Sequence, residues 1–261
     1  MDKKVIVITG SSKGIGLGLA ECFLKAGHNV VITGTSQKSV DAAAEKLKEY
    51  KNQLTAVVCN VTSKESVEQL VQAAHKMSGR IDIWINNAGI THTSKSIMEL
   101  EDDEIKKVVD VNIFGVINGS RAAGKYMLAQ KGGAIYNMEG LGSDGRIAAG
   151  SAYYGMTKRA LRYFTRCMAK EFENTGVIVG RLSPGMVLTQ LLLKDVENSP
   201  NKESTLKIFK ILADKVETVA EYLSKEILKN KKNGAYIAWL TTPKIIYRFI
   251  SAPITKRDPF K

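Results

Sequence analysis

Val5-Ile6-Val7-Ile8-Thr9-Gly10-Ser11-Ser12-Lys13-Gly14-Ile15-Gly16 decides the fold. Four consecutive β-branched apolar residues read as a strand buried on both faces, as in a parallel sheet. Ile15–Ala26 reads as a helix stopped at Gly27. The strand thus runs through a glycine-rich turn directly into a helix. Glycines let the backbone turn tightly and approach a ligand closely, and the first turn of the helix offers unpaired N–H groups. Such a junction cradles a pyrophosphate. Its spacing is G-x-x-x-G-x-G rather than G-x-G-x-x-G.

The same alternation continues along the chain. Further strands are predicted at Asn29–Thr33, Leu54–Cys59, Ile81–Ile85, Ala134–Met138, Val177–Leu182 and Gly234–Trp239. Helices are predicted at Val40–Tyr50, Lys64–Met77 and Ser151–Asn174, and two helical stretches share Glu101–Gln130, with Asn112 near their junction. Short apolar strands separated by amphipathic helices imply βαβ units. The expected fold is a single α/β domain of Rossmann type, doubly wound, with a parallel seven-stranded sheet and helices on both faces. Residues 1–243 should form this domain, with a substrate lid at about 186–215 and a basic amphipathic tail at 244–261. Lys194–Lys215, polar and charged with one Pro, reads as a mobile insertion.

At 261 residues, 44% hydrophobic and 25% charged, the chain can bury a sizeable core and is too apolar for disorder. The net charge of +12 admits an anionic partner. The lysines are spread evenly, however, without Arg/aromatic interleaving, so no nucleic-acid partner is expected. Cys22, Cys59 and Cys167 are odd in number and far apart, and read as buried thiols of a reducing compartment. His28, His75 and His92 match no metal-ligand spacing, so no metal is expected, and His92 is expected at the surface. The apolar run after Met1-Asp2-Lys3-Lys4 is too short for a signal-peptide core, and no run reaches the ~18 residues of a membrane span. The cytoplasm is the expected location.

Nucleotide choice follows from the end of the second strand. An Asp or Glu there would bind a ribose 2′-hydroxyl and repel a 2′-phosphate. The chain reads Thr33-Gly34-Thr35-Ser36, with no carboxylate and two exposed-type hydroxyl donors, while Lys13 brings a positive charge to the glycine turn. These residues favour NADP(H).

Tyr154-Gly155-Met156-Thr157-Lys158 places a phenol and an ammonium four residues apart. Residues i and i+4 share one helix face. A phenol of pKa ~10 is poorly matched to proton transfer near neutrality, and a nearby ammonium lowers that value by favouring phenolate. The tyrosine then works as general acid when a carbonyl is reduced and as general base when an alcohol is oxidised. Lys158 can also hold the nicotinamide ribose. Tyr153, five residues from Lys158, should point elsewhere and pack in the core or the pocket wall.

Thr9 to Gly16, Asn86-Asn87-Ala88-Gly89 and Tyr154 to Lys158, in this order, resemble the short-chain dehydrogenase/reductase family over nearly the full chain. The resemblance implies an NADP(H)-dependent oxidoreductase acting on a small-molecule carbonyl or alcohol, assembled as a homodimer or homotetramer. It implies phosphate and 2′-phosphate contacts from Gly10, Ser12, Lys13, Gly14, Ile15, Gly16, Thr35 and Ser36. Asn60 and Val61 would touch adenine, with Asn where the family often has Asp, and Asn87, Ala88 and Gly89 would line the pocket. Ser183-Pro184-Gly185-Met186-Val187-Leu188-Thr189 would close over the nicotinamide through Pro184, Gly185, Val187 and Thr189. Asn112 matches the family's helix-interrupting Asn, which positions a water in a proton relay.

One family feature is missing. The usual catalytic serine lies thirteen residues before the tyrosine, where this chain has Leu141, and anchoring on Asn137 puts Gly140 there instead. Ser143 is the nearest hydroxyl and is assigned to polarise the substrate carbonyl, with Glu139 as a rival polar group. Asn137-Met138-Glu139-Gly140-Leu141-Gly142-Ser143-Asp144-Gly145-Arg146 is similar to the chlorophyll(ide) b reductase branch, which carries the same departure. Those enzymes reduce a formyl group on a large flat tetrapyrrole, which implies a bulky apolar aldehyde or ketone here. Leu191, Leu192 and Leu193 would cover such a substrate or form a buried helix face.

In the tail, Lys244, Arg248, Lys256, Arg257 and Lys261 interleave with Ile245, Ile246, Tyr247, Phe249, Ile250 and Ile254. Such a segment can lie on an anionic membrane surface. It more often packs across a subunit or a pocket, and a protein contact is expected. The alternative function is an NADP(H)-binding regulatory protein with little turnover. The missing serine speaks for it, and the intact Tyr154–Lys158 pair speaks against it.

Overall fold

In the computed structural model, residues 2–190, 202–255 and 257–260 are described. Seven strands form one all-parallel sheet: β1 Val5–Ile8, β2 Asn29–Gly34, β3 Leu54–Val58, β4 Ile83–Asn86, β5 Gly133–Met138, β6 Val177–Ser183 and β7 Tyr236–Ala238. Their order is β3-β2-β1-β4-β5-β6-β7. Around them run α1 Gly14–Lys25, α2 Gln37–Lys46, α3 Lys64–Ser78, α4 Asp102–Val109, α5 Gly115–Ala129, α6 Ala152–Glu171, α7 Lys202–Leu212, α8 Val216–Lys229 and α9 Thr242–Thr255. This is the single α/β domain the strand–helix alternation predicts.

The period-two geometry of a strand sorts the β1 side chains. Ile6 and Ile8 pack into one core with Val30, Ile32 and the buried faces of α1, α2 and α8. Val5 and Val7 pack into the other with Val31, Trp84 and residues of α3, α5 and α6. Every β1 residue is fully buried, and each such side chain contributes about 1.5–3 kcal/mol. The strand order reverses between β1 and β4, so the loops leaving these two strands diverge. The carboxyl ends of these strands are where doubly wound sheets bind ligands.

Three helices, α7, α8 and the tail helix α9, are not among those predicted from sequence. Val219, Ala220, Leu223 and Ile227 give α8 a buried stripe at helical spacing, diluted in sequence by Lys and Glu. Gly18 lets α1 approach it, since a Cβ there would stand 2.7 Å from Val216 Cγ1. The polar stretch read as a mobile insertion is corrected at its described end. Lys202–Leu212 is helical because Leu206, Phe209 and Ala213 lie on one side and pack on Met186 and Leu188. Leu191, Leu192 and Leu193 lie outside the described residues, as do Lys256 and Lys261 of the tail.

The tail is helical through α9 and is tied to the domain by one buried carboxylate. Asp214 accepts hydrogen bonds from Trp239 Nε1 (2.7 Å), from both Arg248 nitrogens (2.7 and 3.1 Å) and from Arg257. Arg248 and Arg257 also donate to the Leu212 and Ile211 carbonyls. Two of the tail's cations therefore point inward. Its apolar residues do not: Tyr247, Ile250 and Ile254 are 68%, 72% and 84% exposed.

Burial opposes the charge on Asp214, but the hydrogen bonds of Arg248 and Trp239 and the charges of Arg248 and Arg257 outweigh it, holding the carboxyl below its usual range. Asp214→Asn strands two guanidinium groups and should cost about 3 kcal/mol in urea unfolding at pH 7. A carboxyl depressed on folding contributes fully above its unfolded value of ~3.9 and loses its contribution as the pH falls through the folded value. The gap between wild type and variant should therefore close only in that acid range. Equal stabilities at pH 7 would show that Asp214 does not anchor the tail.

Candidate active site

The glycine turn is built as its spacing requires. Gly10 and Gly14 adopt φ of +62° and +59°, a region L side chains rarely enter. A Cβ on Gly10 would stand 2.7 Å from Ala88 Cα, and one on Gly16 would stand 2.5 Å from Asn87 Nδ2. The turn is thus pressed against the end of β4 and bolted there. Asn87 Nδ2 donates to the Thr9 and Gly10 carbonyls at 2.9 and 3.1 Å. The backbone N–H groups of Asn87 and Ala88 donate to Thr9 Oγ1 at 3.0 and 3.1 Å. On the other side, Thr33 Oγ1 accepts from Gly10 N at 2.9 Å, and Ser11 Oγ accepts from Thr33 N at 2.8 Å. Lys13, at the N-cap of α1, makes no side-chain cap, and the first turn carries no acid. This concave, uncapped helix start fits a pyrophosphate.

At the end of β2, Thr35 and Ser36 are exposed, as is Lys13 in the glycine turn, and Ser12 lies against Gly34, where a Cβ would stand 3.1 Å from Ser12 Oγ. Ser36 Oγ accepts from Ser39 N as the N-cap of α2 and keeps its proton to donate. Asn60 folds back on its own turn: its Oδ1 accepts from Thr62 N and Thr62 Oγ1. Val61 is buried against Gly115, and its carbonyl accepts from Asn118. Ile15 packs its side chain on the core, leaving its backbone to the turn.

Asn86, predicted only as part of a motif, heads a buried polar chain. Its Nδ2 donates to Ser120 Oγ and Asn137 Oδ1, and its Oδ1 accepts from Trp84 Nε1. Asn137 Nδ2 donates on to Thr165 Oγ1 of α6. Satisfied buried networks of this kind rigidify a core. This one fixes β4 and β5 to the helix that carries Tyr154.

Lys158 is buried, and its Nζ donates to the Met138 carbonyl at 3.2 Å. It lies 5.6 Å from the centroid of the Tyr154 ring, so the helix presents both groups to one place. Gly89 makes room for them, since a Cβ there would stand 3.4 Å from Lys158 Nζ. Burial lowers the Lys158 pKa to about 8, with Glu139 working in the opposite direction. Asn112 is fully buried in a π-helical turn, Asp110–Phe114, between α4 and α5. Its side chain accepts from Ile90 N and donates to Ile90 O and Thr157 Oγ1. Asn112 therefore joins the loop after β4 to the Tyr154 helix. Tyr153 forms part of a wall, its hydroxyl donating to Ile97 O and its ring meeting His92 edge-on. His92 is buried rather than at the surface, because its Nδ1 engages Thr93 O and its ring packs on Tyr153.

The turn after β6 crosses toward the glycine turn. Pro184 is buried, and Gly185 takes φ +73° against Leu240. Val187 is buried and forms a bridge with Asp214. Thr189 lies over the glycine turn, its Cγ2 3.5 Å from where a Gly14 Cβ would stand.

A family model described as short chain dehydrogenase matches residues 4–200. The chain belongs to this family of oxidoreductases. It is 40% identical over 256 residues to "Chlorophyll(ide) b reductase NOL, chloroplastic" of Arabidopsis thaliana, covering 94% of this chain and 72% of that protein. Among solved structures it is similar to a 3-ketoacyl-(acyl-carrier-protein) reductase from Brucella melitensis complexed with NADH, at 25% identity and TM-score 0.80, covering 90% of this chain and 96% of that one. It is also similar to ElxO with NADP bound, at 27% identity and TM-score 0.80, covering 91% and 97% of the two chains.

The missing serine has a structural counterpart. A side chain on Gly140 would overlap the Tyr154 hydroxyl oxygen and stand 3.3 Å from Lys158 Cε. Leu141 is 43% exposed. The tyrosine tip thus occupies the space beside Gly140. Ser143 is turned inward, only 4% exposed, and its hydroxyl donates to Glu139 Oε2 at 3.3 Å. Its carbonyl accepts from Arg159 and Arg162, placing it along α6 below Tyr154. Gly140→Ser should displace the Tyr154 hydroxyl and lower turnover about 100-fold, since a misplacement near 1 Å can cost that much. Its stability cost should be ~1–3 kcal/mol by thermal unfolding. Unchanged kcat would mean that the tyrosine tip does not need this space.

Proposed function

We propose that this chain is an NADPH-dependent carbonyl reductase for a bulky apolar aldehyde or ketone. The observation that carries the reading is the buried Lys158 beneath Tyr154, at the same sheet edge as the glycine turn. The residues that would hold the dinucleotide are the turn from Gly10 to Gly16, Thr35 and Ser36 at the 2′-phosphate, Asn87 to Gly89 along the pocket, and Thr189 above it. When bound, the dinucleotide supplies the hydride. Tyr154 holds the substrate oxygen and gives it a proton. Lys158, charged below about pH 8, steadies the phenol electrostatically. Asn112 keeps the loop after β4 and the Tyr154 helix in register, and it stands where the family's water relay begins. Ser143, engaged by Glu139, is a rivet of the loop rather than the grip on the carbonyl.

Three features support the choice of ligands. No carboxylate stands at Thr33–Ser36, and Lys13 is exposed in the glycine turn. Open apolar side chains stand near Tyr154: Leu141, next to the Gly140 that the tyrosine tip abuts, and Ile97, whose carbonyl accepts from Tyr153, are 43% and 54% exposed. The Arabidopsis relative is named for a substrate of this bulky, apolar class. NADPH should bind at least about tenfold tighter than NADH, a difference of 1.4 kcal/mol, and Lys13→Ala should narrow the gap. NADPH oxidation against a panel of aldehydes and ketones should fall about 100-fold or more in Tyr154→Phe, with NADPH affinity kept. Equal rates in the two proteins would discard the reading. NADPH binding with no turnover on any carbonyl would favour a regulatory protein instead.

A further inference from the structure

Glu139 is a buried acid among cations. It follows β5, is 3% exposed, and its N–H donates to Leu182 O of β6 at 2.7 Å. Its Oε1 pairs with Arg181 of β6 at 3.0 Å, and its Oε2 accepts from Ser143 Oγ. Arg181 is itself held, lying 4.6 Å over the Tyr236 ring of β7. From α6, Arg159 and Arg162 reach the Ser143 carbonyl, and Lys158 reaches the carbonyl of Met138, the residue before Glu139. Asp144, the next acid along the chain, is paired with Arg146. Glu139 is thus held by Arg181 and Ser143, and the buried Lys158 ammonium lies on the carbonyl of the preceding residue, also facing the Tyr154 ring.

We propose that Glu139 is a positioning residue for the reaction, a buried counter-charge that keeps the Lys158 ammonium charged and aimed beneath Tyr154. An ammonium taken out of water tends to lose its proton unless an opposite charge is near. The desolvation acting on Lys158 is opposed by Glu139. Arg181 sets how much of that charge Lys158 feels, since it neutralises the same carboxylate from the other side. The geometry stands without the carbonyl-reductase reading. Its catalytic consequence rests on that reading, because the charge acts on the proton donor.

The test titrates Lys158 directly, by NMR of the full chain labelled with 13Cε-lysine, the resonance being assigned by its loss in Lys158→Met. Glu139→Gln should move the midpoint down by about 0.5–1 pH unit, a three- to tenfold loss of proton affinity. Arg181→Met, which frees the carboxylate, should move it up. Ser143→Ala, which keeps the charge, should leave it in place. A Glu139→Gln midpoint within about 0.2 unit of wild type would overturn the proposal. If Glu139→Gln does not fold, Arg181→Met decides, and a midpoint that fails to rise overturns it. In the active enzyme, the alkaline limb of turnover should move with the midpoint. Shifted midpoints in a protein that reduces no carbonyl would support Glu139's role while rejecting the function.

Discussion

The hydrogen bonds between Thr9 and the Asn87-Ala88 backbone and side chain are the constraint on which the site depends. β1 and β4 are neighbours whose outgoing loops diverge, and a divergent pair of loops has no intrinsic reason to hold one geometry. Three hydrogen bonds to Thr9 and one to Gly10 close that gap, and the absence of a Cβ at Gly10 lets the two backbones touch while Gly16 leaves room for the Asn87 amide. The start of α1 is therefore fixed against the loop after β4, whose Gly89 lies by Lys158.

Two buried charges organise what surrounds this cradle. Lys158 is held under the proton donor by the Met138 carbonyl, with the buried Glu139 one residue further on. Asp214 gathers Trp239, Arg248 and Arg257, fixing the turn after β6 and the C-terminal helix in one place. Both are costly to bury and both are satisfied by named partners, as buried ions require. The consequence is a rigid site on one edge of the sheet, roofed by a segment that the same network anchors.

The sheet, its seven strands and the Tyr154–Lys158 pair were legible because each rests on local pattern: apolar runs, glycine spacing, an i,i+4 pair. What stayed hidden depends on distant partners. α8 is amphipathic, but its stripe declares itself only when packed on Gly18 of α1. α7 was masked by lysines around Leu206 and Phe209. Counting residues could not choose between Gly140 and Leu141 for the serine position, because the choice depends on where the tyrosine tip falls across α6. Ser143 is the nearest hydroxyl along the chain, yet it faces Glu139. Glu139 itself gave one sequence signal, an acid at the end of a buried strand, whose partner Arg181 lies 42 residues away on the adjacent strand. The tail is expected to make a protein contact, but its partner, Asp214 beneath Arg248 and Arg257, lies on a distant stretch of the chain.

If the glycine turn and the Tyr154–Lys158 pair are two ends of one site spanned by one dinucleotide, a crystal structure of the protein with NADPH will show it. The pyrophosphate should lie on the first turn of α1, the 2′-phosphate beside Lys13, Thr35 and Ser36, and the nicotinamide below Tyr154 with its ribose at Lys158. A dinucleotide bound elsewhere, or one whose nicotinamide points away from Tyr154, would contradict it.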